Sequence, residues 1–293
     1  MSNMMRALVK AKAEPGIWME EVPVPEVGPN DVLIKVGKSA ICGTDVHIMK
    51  GEYPVRRGLI VGHEPVGVIE KLGSAVQGYR EGQRVIAGAI TPSGHSAACL
   101  CGCLSQDGAG TKHGFKAIGG WKFGNTIDGC QAEYVRVPHA MANLTPVPDE
   151  LTDEQVLMCP DIMSTGFGGA ESGGIRIGDT VAVFAQGPIG LCATAGAKLM
   201  GASRIIAVDG IRELDRSIWE VTMANVLPLR TIGTASTRMA ISVVQLVSPE
   251  RSMTCDSRAA STRGFRSARI RSPTKSLWKT VCVVDGRTCA KAT

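Results

Sequence analysis

Short apolar runs separated by turn residues fill the first half of the chain. Four of these runs, with turn signals such as Pro29-Asn30 between them, predict strands: residues 6–10, 31–37, 63–72 and 83–90. Helical periodicity is scarce in this half. Short strands with frequent glycines predict a β-rich, partly open barrel for residues 1–150.

A long stretch without hydrophobic periodicity interrupts this half at residues 91–129. It is rich in Gly, Ser and Cys. Unstructured stretches of this length within a domain are usually functional or mobile. We interpret it as a loop or lobe of the first domain.

The hydrophobic pattern changes near residue 150. Leu151-Thr-Asp-Glu-Gln-Val-Leu-Met predicts a helix start, with Thr152 as the N-cap. Asp179-Thr-Val-Ala-Val-Phe-Ala is a continuous apolar run that suits a strand buried on both faces. A small-residue helix at 191–200 and a second buried strand, Arg204-Ile-Ile-Ala-Val-Asp, follow. Together they predict one βαβ unit.

A glycine turn joins the two strands of this unit. The residues from Ala185 to Gly190 match Gly-x-Gly-x-x-Gly with alanine at the first position. In such a turn, Gly187 lets the backbone approach a pyrophosphate, Gly190 allows close helix packing, and the helix N-terminus offers free N–H groups. Asp209 closes the second strand about 20 residues later, where a carboxylate accepts hydrogen bonds from a ribose and repels a 2′-phosphate. The predicted NAD site, with NADP less favoured, comprises Gly187, Pro188, Ile189, Gly190 and Asp209. The alternative is a βαβ turn that binds no nucleotide.

Composition divides the chain near residue 210. Residues 1–210 carry 18 Lys and Arg against 21 Asp and Glu, whereas residues 211–293 carry 14 against 6 and only 3 of the 35 glycines. The later segment shows no strand–helix pattern, although a doubly wound domain needs about six strands. We therefore predict an incomplete nucleotide domain at 151–210. We hypothesise that 211–293 is an atypical basic tail, disordered or translated from a changed reading frame. The alternative is a basic extension that binds nucleic acid or anionic surfaces.

The overall composition indicates a soluble globular protein, with 44% apolar and 20% charged residues. No apolar run approaches the ~20 residues that span a bilayer, and the N-terminus lacks an apolar signal core. The ten cysteines fit a disulfide framework poorly, because a chain of this length can bury a core without one. We predict a cytoplasmic protein with reduced thiols, and we expect neither a membrane nor a nucleic-acid partner.

Metal-ligand residue types occur in two motifs of the first domain. Ala40-Ile-Cys42-Gly-Thr44-Asp-Val-His47 supplies a thiol, and Gly62-His63-Glu64-Pro supplies an imidazole and a carboxylate. Zinc takes these ligand types in catalytic sites, where one position stays open for water or substrate. The two motifs therefore predict a catalytic metal site.

These motifs resemble those of the zinc-dependent medium-chain dehydrogenase/reductase family, which carries Cys-Gly-Thr-Asp-x-His and Gly-His-Glu in this order. Met158-Cys-Pro-Asp161-Ile-Met-Ser-Thr and Gly120-Trp121-Lys-Phe resemble its secondary-alcohol (isopropanol) dehydrogenase-like branch. The resemblance covers residues 5–210. It implies an α/β protein (α+β overall), with a GroES-like β-rich catalytic domain followed by an incomplete Rossmann dinucleotide-binding domain.

The resemblance also implies a ligand set. Cys42, His63 and Asp161 would bind one catalytic Zn²⁺, and Glu64 would be a neighbouring or exchangeable ligand. Many members of the family hold a second, structural zinc with four cysteines. The lobe of this chain has the spacing C-x-C-x-C (residues 99, 101 and 103) instead of the C-x2-C typical of such sites. We therefore expect no second zinc.

The resemblance further implies catalytic roles. Thr44 would hydrogen-bond the alcohol oxygen, His47 would pass its proton towards water, Glu64 would assist at the metal, and Trp121 would line the substrate pocket. Zinc would act as a Lewis acid while hydride passes to NAD. The implied function is oxidation of small secondary or primary alcohols to ketones or aldehydes. The rival hypothesis is a catalytically impaired, truncated remnant that acts as a zinc-binding or partner-binding module. The resemblance also allows a homo-oligomer like those of the family, but the atypical tail at 211–293 argues against its assembly.

Overall fold

The structure, a computed structural model, describes residues 4–209 and the backbone of three later strands at 241–247, 280–284 and 287–290. The chain divides into two units, Met1–Asp161 and Ile162–Thr293. None of the described helices is long and apolar enough to cross a membrane.

Antiparallel sheets make up most of the first unit. Its described strands are β1 (Met4–Lys10), β2 (Trp18–Pro23), β3 (Val32–Ser39), β4 (Leu59–Ile60), β5 (Pro65–Leu72), β6 (Arg84–Ala87), β7 (Tyr134–Val137) and β8 (Leu144–Pro146). They form a three-stranded sheet in the order β2-β1-β4 and a five-stranded sheet in the order β7-β3-β5-β6-β8. The four predicted strands are present as β1, β3, β5 and β6, so the β-rich character of this half is confirmed.

The main core of this unit lies on the five-stranded sheet. Ile34 of β3 is opposite Ile69 of β5 on one side and Val135 of β7 on the other. All three side chains are buried, and Phe123 from the 91–129 segment joins them. Full burial of one such side chain stabilises the fold by about 1.5–3 kcal/mol. The sheet is therefore a firm support for the segments that leave its ends.

Short helices connect the strands of the first unit: α1 (Gly43–Lys50), α2 (Ala97–Leu100), α3 (Ala140–Asn143) and α4 (Asp153–Val156), with a 3-10 turn at Leu104–Gln106 and a π-helix at Cys159–Met163. The predicted N-cap of α4 is confirmed, because Thr152 Oγ1 accepts the N–H of Gln155 at 3.4 Å. The α-helix is shorter than its pattern predicts. Pro160 lacks the N–H that would extend the α-helical hydrogen bonds.

The second unit contains the predicted βαβ arrangement. Helix α5 (Ser164–Ser172) precedes β9 (Thr180–Phe184), α6 (Pro188–Leu199) and β10 (Arg204–Val208). Strands β9 and β10 are parallel, with Val181 opposite Ile205. Both side chains are buried in a cluster with Ala193 and Ala197 of α6. The βαβ prediction is therefore confirmed.

Three further strands extend this sheet: β11 (Ile241–Val247), β12 (Thr280–Val284) and β13 (Arg287–Ala290). The strand order is β10-β9-β11-β12-β13, and β11 is antiparallel to β9. No strand is predicted above for residues 211–293, and the structure differs here because these ranges contain β-branched residues that favour extended backbone. The remainder of the predicted tail, including the hypothesised frame change after Asp209, lies outside the described residues. The predicted domain bounds stay predictions.

Candidate metal centre

A thiol, an imidazole and two carboxyl groups come together in the first unit. The ligand atoms of Cys42, His63, Glu64 and Asp161 all lie within 4.8 Å of one another. His63 Nε2 is 3.3 Å from Asp161 Oδ2 and 3.9 Å from Glu64 Oε1. His63 and Glu64 are buried, whereas Cys42 and Asp161 are half-buried. The structure thus brings together all four residues that the sequence singles out as metal ligands.

Three separate segments supply these side chains. Cys42 is the N-cap of α1, just after β3 ends, while His63 lies just before β5 and Asp161 lies in the π-helix. Ser39 at the end of β3 is opposite Pro65 at the start of β5. The antiparallel register therefore brings the Cys42 and His63 segments side by side.

Gly62 gives the turn before His63 its shape. Its φ is +95°, in the left-handed region that glycine adopts readily and other residues rarely adopt. A Cβ atom at this position would lie only 2.9 Å from the backbone nitrogen of Gln131. The glycine of the Gly-His-Glu motif is thus required for both backbone conformation and space.

Asp45 joins the two segments that carry Cys42 and His63. Its Oδ2 accepts the backbone N–H of Cys42 at 2.9 Å, and its Oδ1 accepts that of Gly62 at 3.0 Å. The side chain is buried, and burial raises its pKa. The charge of His63 lowers this pKa, but by less than burial raises it. The sequence analysis assigns Asp45 no role. The available signal is an acidic residue three positions after a helix N-cap, which is typical of a capping box.

The electrostatics of the cluster favour a bound cation. Glu64 is fully buried, and its two carboxylate oxygens accept no hydrogen bond from the described residues. Burial, aided by the charge of Asp161, raises the pKa of Glu64 to about 7. Burial lowers the pKa of His63, but hydrogen bonds to Asp161 and Cys42 outweigh it and hold the pKa well above 6.5. A buried carboxylate that accepts no hydrogen bond costs free energy, and a bound metal ion would offset that cost.

Two residues predicted to face the substrate lie beside this cluster. Thr44 Oγ1 is 3.7 Å from Cys42 Sγ. The Trp121 ring meets the His63 ring edge-on, with 6.2 Å between centroids. Tyr53, which the sequence analysis does not single out, packs its ring 5.5 Å from that of Trp121. These rings form an aromatic wall next to the imidazole.

His47, the predicted proton-transfer residue, lies in the last turn of α1. Its Nδ1 is 2.6 Å from Oε2 of Glu52, and the two side chains are 42% and 55% exposed. Glu52 is also absent from the sequence predictions. It directly follows Gly51, a residue type that often ends helices, but the hydrophobic pattern does not predict the helix before it.

The 91–129 lobe is organised around Asp107. Its buried carboxylate accepts the N–H and the hydroxyl of Ser93, both at 2.9 Å, and the ammonium of Lys122 at 3.0 Å. Cys99 Sγ lies 3.6 Å from Oδ1 of the same carboxylate. Burial raises the pKa of Asp107, but hydrogen bonds from Ser96, Ser93 and Lys122 outweigh it and hold the pKa well below its usual range.

The predicted dinucleotide turn lies in the second unit. Gly187 is the N-cap of α6, and residues 188–190 form the first turn of the helix. Apart from neighbouring residues of the same turn, no atom of the described residues lies within 4 Å of a Cβ built on Gly187, so a phosphate could approach the backbone there. Asp209 Oδ2 accepts the N–H of Gln186 at 2.5 Å. The five predicted nucleotide residues therefore belong to one strand–turn–helix–strand arrangement.

Ala185 stands where the fingerprint has its first glycine. Its φ is +67°, which an L-residue adopts only with strain. Its N–H donates to Val208 O at 2.8 Å. The adjacent Gln186 side chain is buried, donating to Val183 O at 2.8 Å and accepting the Thr194 hydroxyl at 3.2 Å. These bonds hold the turn in its strained conformation.

Comparison with known proteins agrees with this arrangement. The family profile of the alcohol dehydrogenase GroES-like domain matches residues 28–149. An alcohol dehydrogenase of Cupriavidus necator is 67% identical over 218 residues, which are 72% of this chain and 59% of that protein. The NADP-dependent isopropanol dehydrogenase of Thermoanaerobacter brockii is 42% identical over 193 residues, or 65% of this chain and 52% of that protein.

A solved structure, the alcohol dehydrogenase TADH from Thermus sp. ATN1, has a TM-score of 0.67 and 34% identity, covering 76% of this chain and 63% of that chain. The chain thus spans between half and two thirds of the length of these relatives. The predicted fold class, a GroES-like domain followed by a Rossmann-type unit, is confirmed. Over the residues that these comparisons match, the chain belongs to the zinc-type medium-chain alcohol dehydrogenases.

Proposed function

We propose that this chain is a zinc-dependent alcohol dehydrogenase that oxidises small secondary or primary alcohols to ketones or aldehydes with NAD. The observation that carries the proposal is the cluster of Cys42, His63, Glu64 and Asp161 within one unit. Its four donor atoms come from three segments distant in sequence, and they meet beside the threonine and tryptophan expected to face an alcohol.

The donor set fits zinc better than other common metals. Zinc accepts thiolate, imidazole and carboxylate ligands with bonds of about 2.0–2.3 Å, whereas calcium and magnesium prefer oxygen ligands alone. We assign Cys42, His63 and Asp161 as the ligands. Glu64 would be the exchangeable fourth ligand, because its buried oxygens otherwise accept no hydrogen bond within the described residues. Because bound imidazole must be neutral, zinc and protons compete for His63.

The chain's own residues orient the alcohol and move its proton. When bound, zinc supplies a Lewis acid and NAD supplies the hydride acceptor. Thr44, beside Cys42, would accept the hydrogen bond of the alcohol hydroxyl. His47, half-exposed at the end of α1, would carry the proton towards water. The Trp121 ring would exclude water from the apolar part of a small alcohol.

The proposed cofactor preference is NAD over NADP. Support comes from the carboxylate of Asp209 at the end of β10, beside the N–H of Gln186 in the glycine turn. A carboxylate at this position can accept hydrogen bonds from ribose hydroxyls and repels a 2′-phosphate. The T. brockii relative is NADP-dependent by name, so the preference of this chain is to be measured directly.

The decisive experiment combines metal content with turnover in the purified full chain. We expect one equivalent of zinc per chain, and NADH formation from propan-2-ol. Cys42→Ser and Asp161→Asn should each lower zinc affinity by more than about tenfold, because hydroxyl and amide are poorer ligands than thiolate and carboxylate. Cys103→Ser is the matched control, since Cys103 is an exposed thiol of the 91–129 lobe.

Each outcome has a clear meaning. A chain without zinc, or a Cys103→Ser variant that loses it, would refute the assigned site. Two equivalents would show that a second metal site exists. One equivalent of zinc without NADH formation would refute the proposed alcohol dehydrogenase activity. It would leave the rival hypothesis of a zinc-binding module.

A further inference from the structure

We infer that Glu52 is a positioning residue for His47. Its carboxylate holds the neutral imidazole in the tautomer with hydrogen on Nδ1, so that the lone pair on Nε2 is the only place where a proton can enter. The inference rests on the proposed function, in which His47 relays the proton of the alcohol.

The backbone at the end of α1 brings the two residues together. Gly51 has φ +76° and ψ +11°, the left-handed conformation that ends many helices. The N–H groups of Glu52 and Tyr53 then turn back and donate to His47 O at 2.9 and 3.3 Å. Glu52 is thereby placed over the turn that carries His47, within reach of its ring.

The side-chain contact fixes the proton on one ring nitrogen. Glu52 Oε2 is 2.6 Å from His47 Nδ1, a distance typical of a strong, charge-assisted hydrogen bond. An ionised carboxylate only accepts hydrogen bonds, and a neutral imidazole carries one N–H and one lone pair. The contact therefore favours the hydrogen on Nδ1 and the lone pair on Nε2. A proton that reaches His47 enters and leaves through Nε2.

A purely structural role accounts poorly for this pair. Both side chains are about half exposed, and exposed ion pairs contribute only about 0–1 kcal/mol to stability. The helix already ends at Gly51 through backbone hydrogen bonds that do not involve the Glu52 side chain. An energy of that size adds little to the stability of a domain, yet it is enough to select between two tautomers of similar energy.

Nitrogen NMR of the full-length chain, labelled with ¹⁵N-histidine, tests the inference directly. The chain has five histidines, and His47→Asn identifies the signal of interest. At alkaline pH, where imidazole is neutral, we expect the single ring hydrogen of His47 to lie on Nδ1. In Glu52→Ala, the ratio of the Nδ1–H to the Nε2–H tautomer should fall about two- to fivefold, the effect of one exposed charged hydrogen bond.

Three controls separate positioning from loss of structure. Glu52→Gln keeps an oxygen acceptor and should restore part of the wild-type ratio. Glu20→Ala removes a different exposed carboxylate and should leave it unchanged. The other four histidine signals and the zinc content should be the same in all variants. An Nε2–H tautomer in the wild type, or an unchanged ratio in Glu52→Ala, overturns the inference. Because the measurement needs no turnover, absence of alcohol oxidation would count against the proposed function alone.

Discussion

The carboxylate of Asp45 accepts the backbone N–H of Gly62 at 3.0 Å, across 17 residues of sequence. The same carboxylate accepts the N–H of Cys42. One buried side chain therefore fixes the distance between the segment that carries Cys42 and the segment that carries His63. The geometry of the metal cluster depends on this group as well as on the register of β3 and β5.

Asp45→Asn should loosen both the fold and the metal site. An amide offers one acceptor oxygen where the carboxylate offers two, so one buried N–H would lose its partner at a cost of about 1–3 kcal/mol. We expect a free energy of unfolding lower by that amount, and a zinc affinity lower by about 10–100-fold. Denaturant titration and competition with a chromogenic chelator measure the two effects.

The matched control is Asp149→Asn, which removes an exposed carboxylate from the same unit. It should change neither quantity measurably. If Asp45→Asn also left the free energy of unfolding and the zinc affinity unchanged, Asp45 would not join the Cys42 and His63 segments in solution.

Asp107→Asn should make stability less dependent on pH. The pKa of Asp107 is held below its usual range by hydrogen bonds from Ser96, Ser93 and Lys122, so the ionised group stabilises the folded chain above the unfolded pKa of about 3.9. That contribution is lost as pH falls through the folded pKa. At pH 7 the variant should be less stable by about 1–3 kcal/mol, and the difference should narrow below about pH 4.

Urea unfolding of both chains between pH 7 and pH 3 checks this prediction. A constant difference over the whole range would mean that the variant loses packing and not the ionised hydrogen bonds. Lys122→Met, which removes the cation from the same carboxylate, should reproduce part of the effect.

Ala185→Gly should stabilise the second unit. An L-residue in the left-handed region costs about 1–2 kcal/mol, and the greater freedom of unfolded glycine returns about 0.5–1 kcal/mol of that. A net gain of about 0.5–1 kcal/mol is expected in the free energy of unfolding. Ala195→Gly, in the middle of α6, should destabilise by about 1 kcal/mol. Equal signs for the two variants would contradict the strained backbone at Ala185.

Asp209→Asn should relax the choice between NAD and NADP. Loss of the carboxylate removes like-charge repulsion with a 2′-phosphate, which costs several kcal/mol in a partly desolvated site. The ratio of the NADP to the NAD dissociation constant, measured by titration calorimetry, should fall by about tenfold or more. Asp179→Asn is the control, because that carboxylate also accepts a backbone N–H, from Arg176 at 2.8 Å. A wild-type chain that prefers NADP would contradict the assignment of Asp209 as the residue that selects NAD.

The elements that the sequence predicted well are those with a local signature. Strands β1, β3, β5 and β6 and the β9–α6–β10 arrangement follow from apolar runs and glycine turns. Cys42, His63 and Asp161 were identified from motif resemblance, and the structure adds that their donor atoms lie together. The pattern alone could not show this, because the contact depends on the register of β3 with β5.

The residues that the sequence did not identify act through partners far away or beyond an unmarked helix end. Asp45 reaches Gly62 through the fold, and the Asp107–Lys122 pair closes a lobe with no periodic pattern. Glu52 meets His47 only because Gly51 ends α1 in the left-handed conformation. For Asp45 and Asp107 a polar side chain meets a group whose position is set by tertiary structure, and for Glu52 the contact depends on how the helix ends.

All four metal-cluster residues precede Ile162, the first residue of the second unit. During synthesis, domains generally fold from the N-terminus as they leave the ribosome. If these residues bind zinc as proposed, the complete donor set would be available while later residues are still being translated. Under the proposed assignment, changes confined to sequence after Asp161 leave every one of these residues in the chain, so cofactor binding could be lost while metal binding is retained.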